Sequence, residues 1–155
     1  EIKEISVGGE ILKIPKKTWD FTEDGEGGTI IDSGTTRSYF VSPAYEVIKD
    51  AFMKKIKKYT LVTDFDVLKP CYNVSGVKKL EMPSFKIRFT DGAEWNFPIQ
   101  NYFIWIDQDV ACLALMPQLK SGFSIIENYQ QQNFHVLYDT KASRLGFAPR
   151  NCADV

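Results

Sequence analysis

Most of the chain alternates short apolar segments with turn signals, a pattern typical of β-strands. The segments IKEISV and EILKIP flank Gly8-Gly9, and FKIRF and AEWNF flank residues 90–92, so each pair predicts a hairpin. Four further segments predict strands: NYFIWI, VACLALM, FHVLYD and RLGFA. The sequence contains no low-complexity segment, linker or fixed-period repeat. It therefore predicts a mainly β protein.

One segment has the period of a helix instead. Its apolar residues recur at three- and four-residue spacing: Ala44, Val47, Ile48, Ala51, Phe52, Ile56 and Tyr59. We expect a helix over about residues 43–58, with Ser42 as the N-cap and Pro43 as the first helical residue. Lysines at positions 54, 55, 57 and 58 would complement the helix dipole, and without an arginine or an aromatic platform they indicate a solvated face.

The composition narrows the class of protein. With 155 residues, 44% of them hydrophobic, the chain can bury the core of one domain. Its 19 basic and 20 acidic residues create no field for nucleic acid or an anionic membrane, and VACLALM is too short to cross a bilayer. We expect neither partner. Because the chain starts at Glu1 inside a predicted strand, we expect a fragment of a longer protein.

The cysteines and a sequon bear on the compartment. Cys71, Cys112 and Cys152 match no zinc spacing, so no metal site is predicted. The tripeptide Asn73-Val74-Ser75 predicts a glycan on Asn73, on an accessible loop of a secreted protein. The alternative is three reduced core thiols beside an accidental sequon, and the residues alone leave both open.

The stretch GGTIIDSGTT contains the candidate chemistry. Asp32 leaves a β-branched run and enters a hydroxyl-rich turn. Gly34 has no Cβ and lets its amide approach the carboxylate, while Thr35 can donate a hydroxyl. A single carboxylate cannot both deprotonate water and protonate a carbonyl, whereas two that share a proton can. The chain contains no second Asp-[Ser/Thr]-Gly.

These features resemble the carboxyl-terminal lobe of pepsin-like aspartic endopeptidases, in particular the plant nepenthesin-like group. The resemblance extends over nearly the whole chain, in these blocks: ISVGGEILKIP, GGTIIDSGTT, Cys71-Tyr72, FKIRFTDGAEW, CLAL and SIIENYQQQNFHVLYDTKASRLGFAPRNC. It implies a mainly β fold, one lobe of a bilobal protease, with one longer and one short helix. Residues 1–155 would be the carboxyl-terminal lobe, and the amino-terminal lobe is absent from the chain.

The resemblance also implies an activity and its residues. Asp32 would be the second catalytic aspartate of an endopeptidase that holds a water between two aspartates and needs no cofactor. Ser33 would bond across the two lobes, and Gly34, Thr35 and Thr36 would contact the peptide or protein substrate. The partner would be the amino-terminal lobe of the same protease.

The cysteines gain roles by the same resemblance. Cys71 and Cys112 correspond to the pair bridged within this lobe, and Cys152 to a terminal cysteine that pairs with the other lobe. Location in the secretory pathway, with the apoplast or the vacuole as destination, would follow.

The sequence departs from the family pattern at Glu127. The family has glycine after two apolar residues here, whereas this chain reads Ile125-Ile126-Glu127. Either Glu127 points into solvent at the start of a short helix, or its charge impairs activity. His135 has no nucleophile or metal partner and predicts a structural role, and the glutamines at 130–132 are expected to carry no chemistry.

Two alternative functions stay open at this point. A binding protein on the same scaffold, resembling plant xylanase-inhibitor-like proteins, would hold a target without cutting it, and Glu127 is consistent with that. A lobe that dimerises through its own Asp32, as retroviral enzymes do, is disfavoured by the chain length and by Cys152.

Overall fold

The protein is described by a computed structural model that covers residues 1–119 and 122–154. It is mainly β, with one longer and one short helix, as the sequence predicts. The strands are β1 (Ile2–Val7), β2 (Glu10–Ile11), β3 (Thr29–Ile31), β4 (Tyr39–Val41), β5 (Thr60–Val62), β6 (Cys71–Asn73), β7 (Phe85–Phe89), β8 (Glu94–Phe97), β9 (Phe103–Trp105), β10 (Val110–Leu113), β11 (Met116–Gln118), β12 (Ser124–Ile126), β13 (Phe134–Asp139) and β14 (Arg144–Pro149). The helices are α1 (Ser42–Lys55) and α2 (Asn128–Gln131), with 3-10 turns at Lys16–Trp19, Ile99–Asn101 and Cys152–Asp154. Neither α1 nor α2 is long and apolar enough to span a bilayer.

Both predicted hairpins are present and share one sheet. Gly8 and Gly9 have φ angles of 56° and 79°, the left-handed backbone that a two-residue hairpin turn requires and that glycine adopts without strain. The antiparallel order is β2-β1-β7-β8. Ile5, Val7, Phe85 and Ile87 alternate inward along β1 and β7, so their spacing of two buries one face.

A second sheet contains the disulfide. Its order is β5-β6-β10-β9, and Cys71 on β6 pairs in register with Cys112 on β10. Their sulfurs are bonded, which confirms the pairing that the resemblance implies. The bridge joins residues 41 apart in sequence, and a loop of that length stabilises the fold by about 4 kcal/mol in the chain-entropy model.

The predicted boundaries of the longer helix are wrong at both ends. Ser42 is the first helical residue and Val41 is the N-cap, without a side-chain hydrogen bond. The helix ends at Lys55, because Ile56 adopts an extended conformation. Ile56 and Tyr59 are both buried, so their apolar character reflects a chain that turns back over the core and not another helical turn.

The segment VACLALM also departs from the predicted single strand. It divides into β10 and β11, with Ala114 and Leu115 buried between them. This break lets β11 leave the disulfide sheet and run parallel to β4 in another one. That third sheet has the order β11-β4-β12-β3, with β12 parallel to β3. It is the sheet from which the Asp32 loop emerges.

The core is built from aromatic rings. Phe52 on α1 is fully buried, with its ring centroid 6.0 Å from that of Phe85, 5.7 Å from that of Tyr102 and 5.5 Å from that of Phe103. Phe52 therefore packs α1 against two sheets, through Phe85 on β7 and Phe103 on β9. Edge-to-face and offset ring pairs of this kind stabilise a core beyond the area that they bury.

The last two strands form a separate antiparallel pair. Trp95 on β8 stacks on Phe147 of β14, with the centroids 4.3 Å apart, and so joins this pair to the first sheet. Towards its other end, Leu137, Tyr138 and Leu145 are exposed by 60%, 54% and 36%. An isolated two-stranded ribbon is marginal in water, so this end of the pair is left without the packing that such a ribbon needs.

The Phe52→Ala substitution tests the packing of α1. We expect it to lower the free energy of unfolding by about 3 to 5 kcal/mol, because it opens a cavity among three rings. Urea denaturation monitored by tryptophan fluorescence measures the loss. The neighbouring Met53→Ala substitution is the control, since Met53 is 37% exposed, and it should change stability by less than about 0.5 kcal/mol. Equal effects of the two substitutions would contradict this packing.

Candidate catalytic site

The loop that begins at Asp32 is fixed by its strand partners. β3 and β12 run parallel in the register Thr29–Ser124 and Ile31–Ile126. The Asp32 amide then donates to the Ile126 carbonyl at 3.0 Å, which extends the pairing past the end of β3. The chain can turn only after this bond, so the Asp32 side chain has a defined origin at the sheet edge.

Gly34 orients the Asp32 carboxylate. Its amide donates to Asp32 Oδ1 at 2.7 Å, the approach that the sequence predicts. A Cβ at residue 34 would lie only 3.1 Å from that oxygen, so a larger residue would crowd the carboxylate. Asp32 is partly exposed. The carboxylate is therefore held in one orientation and remains accessible to water.

Thr35 and Thr36 connect the loop to the short helix. Their carbonyls accept hydrogen bonds from the amides of Asn128 (3.2 Å) and Tyr129 (3.0 Å), two of the amides at the start of α2 that lack a partner inside the helix. Both threonine side chains are exposed. Their predicted contact with substrate stays a prediction, and the structure leaves the two hydroxyls accessible for it.

Gln131 forms hydrogen bonds both to the Asp32 loop and to β12, a role that the sequence did not predict. Its Nε2 donates to the carbonyls of Asp32 (3.2 Å) and Ile126 (2.9 Å), and its Oε1 accepts from Ser33 Oγ at 2.7 Å. The Ser33 hydroxyl thus donates its one hydrogen to Gln131 of the same chain. A bond from Ser33 across the two lobes stays a prediction, and in this arrangement Ser33 would act in it as the acceptor.

Gln130 and Ser38 form a buried network one layer deeper. Gln130 Oε1 accepts from the Ser38 amide (3.0 Å) and hydroxyl, and Gln130 Nε2 donates to the Asn101 carbonyl at 2.8 Å. The Ser38 hydroxyl oxygen accepts from the Glu127 amide at 2.9 Å. The expectation that the glutamine run carries no chemistry of its own stays a prediction, and the structure adds that Gln130 and Gln131 hold the segment from Asp32 to Ser38 by hydrogen bonds.

Glu127 does not point into solvent, so that alternative for this residue is wrong. The residue is 1% exposed, and its buried Oε2 has no hydrogen-bond partner among the described residues. Burial raises the pKa of the Glu127 carboxyl to about 7, and the negative charge of Asp32 adds to the rise. Glu127 therefore introduces a second carboxyl beside Asp32 within the same lobe.

The other predicted site residues lie away from Asp32. Cys152 is exposed and free, and Asn73 is exposed with its side-chain oxygen accepting from the Ser75 amide at 3.0 Å. His135 is exposed on β13. Within residues 1–119 and 122–154, no group of three or more His, Cys, Asp or Glu side chains is placed to hold a metal ion.

The chain is similar to known proteins in sequence and in fold. Residues 1–149 match the family model described as "Xylanase inhibitor C-terminal". The chain is 37% identical over 149 residues to aspartic proteinase nepenthesin-2 of Nepenthes gracilis, across 96% of this chain and 34% of that protein. It is 36% identical over 150 residues to aspartyl protease family protein 2 of Arabidopsis thaliana, across 96% of this chain and 31% of that protein. The chain thus spans about a third of the length of these relatives.

Solved structures show the same fold at lower identity. The crystal structure of edgp superimposes with a TM-score of 0.86 at 20% identity, over 96% of this chain and 38% of that one. Conglutin gamma, a basic 7S globulin from lupine seeds, gives a TM-score of 0.78 at 20% identity, over 99% and 38%. With the family match and the Asp32 loop, these similarities show that the chain belongs to the xylanase inhibitor C-terminal family and corresponds to the carboxyl-terminal part of plant aspartic proteases such as the nepenthesins.

Proposed function

We propose that this chain is the carboxyl-terminal lobe of an aspartic-type endopeptidase and that Asp32 is one of its two catalytic aspartates. The observation that carries the proposal is the Asp32 carboxylate itself, held by the Gly34 amide at 2.7 Å and partly exposed at the edge of the sheet. The second aspartate comes from an amino-terminal lobe of the same protein. The similarity to plant aspartic proteases over 96% of the chain supports this assignment.

The chemistry requires both carboxyls at once. The ionised one takes a proton from a water held between them, and the oxygen of that water attacks the carbonyl carbon of the peptide bond. The protonated carboxyl gives its proton to the carbonyl oxygen, which forms a neutral tetrahedral intermediate. Transfer of a proton to the peptide nitrogen then breaks the carbon–nitrogen bond, and no covalent enzyme intermediate, metal or cofactor is needed.

The loop after Asp32 also provides a surface for the substrate. Gly34, Thr35 and Thr36 are exposed, and the carbonyls of the two threonines are already bonded to α2, which fixes the backbone in place. A rigid stretch with free hydroxyls suits the backbone of an extended peptide, because it can form hydrogen bonds that do not depend on the peptide sequence. The substrate class is therefore peptides and proteins.

The amino-terminal lobe would cover the exposed end of the β13–β14 pair. Leu137, Tyr138 and Leu145 present apolar area there. Cys152 lies beyond the opposite end of the pair, where its amide donates to Asn133 Oδ1 at 3.4 Å and its thiol is free and exposed. A lobe packed on this ribbon would bury those side chains and could bond the thiol. The Cys71–Cys112 disulfide and the exposed Asn73 of a sequon support passage through the secretory pathway to the apoplast or the vacuole, with a glycan on Asn73.

A binding protein that does not cut its target is the second candidate. The observation in its favour is the buried Glu127 beside Asp32. Glu127 adds a third carboxyl to a site whose chemistry requires one ionised and one protonated carboxyl. The description of the matching family model also refers to a xylanase inhibitor. The Gly34–Asp32 geometry favours the protease, because a binder gains nothing from orienting this carboxylate.

The Asp32→Asn substitution tests the proposal in the two-lobe protein. Asparagine keeps the size of the side chain and removes the titratable group, so we expect kcat/KM for an unstructured protein substrate at acidic pH to fall by a factor on the order of 10³ or more. The matched control is Asp91→Asn, since Asp91 Oδ1 also accepts an amide two residues ahead, from Ala93 at 3.1 Å, and the control should keep full activity.

Cleavage that survives in the Asp32→Asn protein would refute the catalytic role. A wild-type protein that binds a peptide with a non-cleavable hydroxyl isostere, yet cuts no peptide at any pH, would favour the binding candidate instead.

Disulfide mapping of the two-lobe protein tests the proposed partner of Cys152. We expect non-reducing peptide maps to link Cys152 to a cysteine outside this chain, because its thiol is exposed and has no disulfide partner among the described residues. The Cys71–Cys112 peptide in the same digest is the internal control. Recovery of Cys152 as a free thiol from the native protein would contradict the pairing.

A further inference from the structure

The sheet register makes Asp32 and Glu127 neighbours. β3 and β12 pair residue by residue up to Ile31 and Ile126, and the Asp32 amide continues the pattern by donating to the Ile126 carbonyl at 3.0 Å. The next pair in this register is Asp32 with Glu127. Residues opposite each other on parallel strands project from the same face, with their backbones roughly 5 Å apart. The two residues are therefore neighbours across the strand pair, and the charge of Asp32 acts on the Glu127 carboxyl.

The surroundings of Glu127 favour its protonated form. Asp32 is partly exposed and accepts the Gly34 amide at one carboxylate oxygen. Glu127 is 1% exposed, and its Oε2 has no hydrogen-bond partner among the described residues. An unpaired buried carboxylate is costly, whereas the protonated acid is neutral and can donate a hydrogen bond.

We propose that Glu127 is a positioning residue that holds a proton beside Asp32 in acid and adds a negative charge there once it ionises. The proposal rests on the proposed role of Asp32 in catalysis. A protonated Glu127 adds no charge beside Asp32, whereas an ionised Glu127 adds one.

The pair also sets an upper pH limit on the reaction. Burial, with the charge of Asp32 as a second cause, raises the pKa of Glu127 to about 7, so Glu127 keeps its proton through the acid range and loses it near neutrality. A second negative charge beside Asp32 then opposes the negative charge that develops on the substrate carbonyl oxygen during attack. Activity falls as the pH rises towards 7.

The other titratable and charged groups around Glu127 do not offset this effect. Arg37 lies in the loop after Asp32, Tyr39 on β4 and Tyr129 on α2. Burial raises the pKa of the Tyr129 hydroxyl, and the Arg37 charge partly counters that rise. Asp32 is the charged group that acts on Glu127.

A carboxyl titration of the two-lobe protein tests the pair without requiring activity. With ¹³C-labelled Asp and Glu carboxyls, the resonance that disappears in Glu127→Gln identifies Glu127, and we expect its midpoint near pH 7 in the wild type. The Asp32→Asn substitution should lower that midpoint by about half a pH unit or more, because it removes the neighbouring charge. The Asp91→Asn control should leave it unchanged. A Glu127 midpoint in the ordinary range of glutamate, or one indifferent to Asp32→Asn, would overturn the proposal.

The pH dependence of kcat/KM tests the consequence. We expect the ratio of kcat/KM at pH 7 to that at pH 4 to be about tenfold higher in Glu127→Gln than in the wild type, since glutamine remains neutral. The Asp91→Asn protein should keep the wild-type ratio. Identical ratios in the glutamine variant and the wild type would remove the upper-limit role.

The two experiments separate the proposals. If the wild type cuts no peptide at any pH, the catalytic function fails while the titration still decides whether Glu127 and Asp32 share a site. If Glu127→Gln does not fold, as judged by its circular dichroism, the glutamate resonance with a midpoint near pH 7 is followed from the wild type to Asp32→Asn. Absence of such a resonance, or of a shift in it, overturns the pairing.

Discussion

The parallel pairing of β3 with β12, closed by the bond from the Asp32 amide to the Ile126 carbonyl, is the constraint on which the site depends. It fixes where the strand stops and therefore where the Asp32 side chain begins. Gln131 adds bonds to both carbonyls at the same junction. The Asp32 loop is thus rigid because its backbone is bonded on two sides, while its side chains stay exposed.

The interior beneath the Asp32 loop is hydrogen-bonded, whereas part of the β13–β14 pair is exposed. A polar network beneath the loop, from Ser38 through Gln130 to Asn101, satisfies buried amide groups that would otherwise be costly. The β13–β14 pair, by contrast, keeps apolar residues such as Leu137 exposed to water. The packing of this ribbon is therefore less complete than that of the core.

Local patterns predicted the elements whose information is local. The strands of both hairpins follow from alternation, the first turn follows from the Gly8-Gly9 pair, and the Gly34 contact follows from the motif around Asp32. The end of α1 was misplaced because buried Ile56 and Tyr59 keep the helical period after the helix has stopped. The three-residue strands β4 and β11 carry too few residues to show a period at all.

The parts of the site that the sequence did not reveal depend on distant partners. Nothing near Gln131 indicates that its amide reaches Asp32, and no local pattern shows whether Glu127 faces water or the core. A short run of polar residues usually indicates a loop. Here Gln130 and Gln131 are buried, because their side-chain amides donate to carbonyls far away in the sequence. Such roles become visible only when the sheet brings the two segments together.

The distance along the chain between the two halves of the site has a consequence for the order of folding. Asp32 and Gln131 are separated by 99 residues, so a ribosome releases the acidic loop long before the segment that shapes it. Contacts of such long range form late, since closing the intervening chain costs entropy first. The Asp32 loop therefore takes its final geometry only after Gln131 has been synthesised and has joined the sheet.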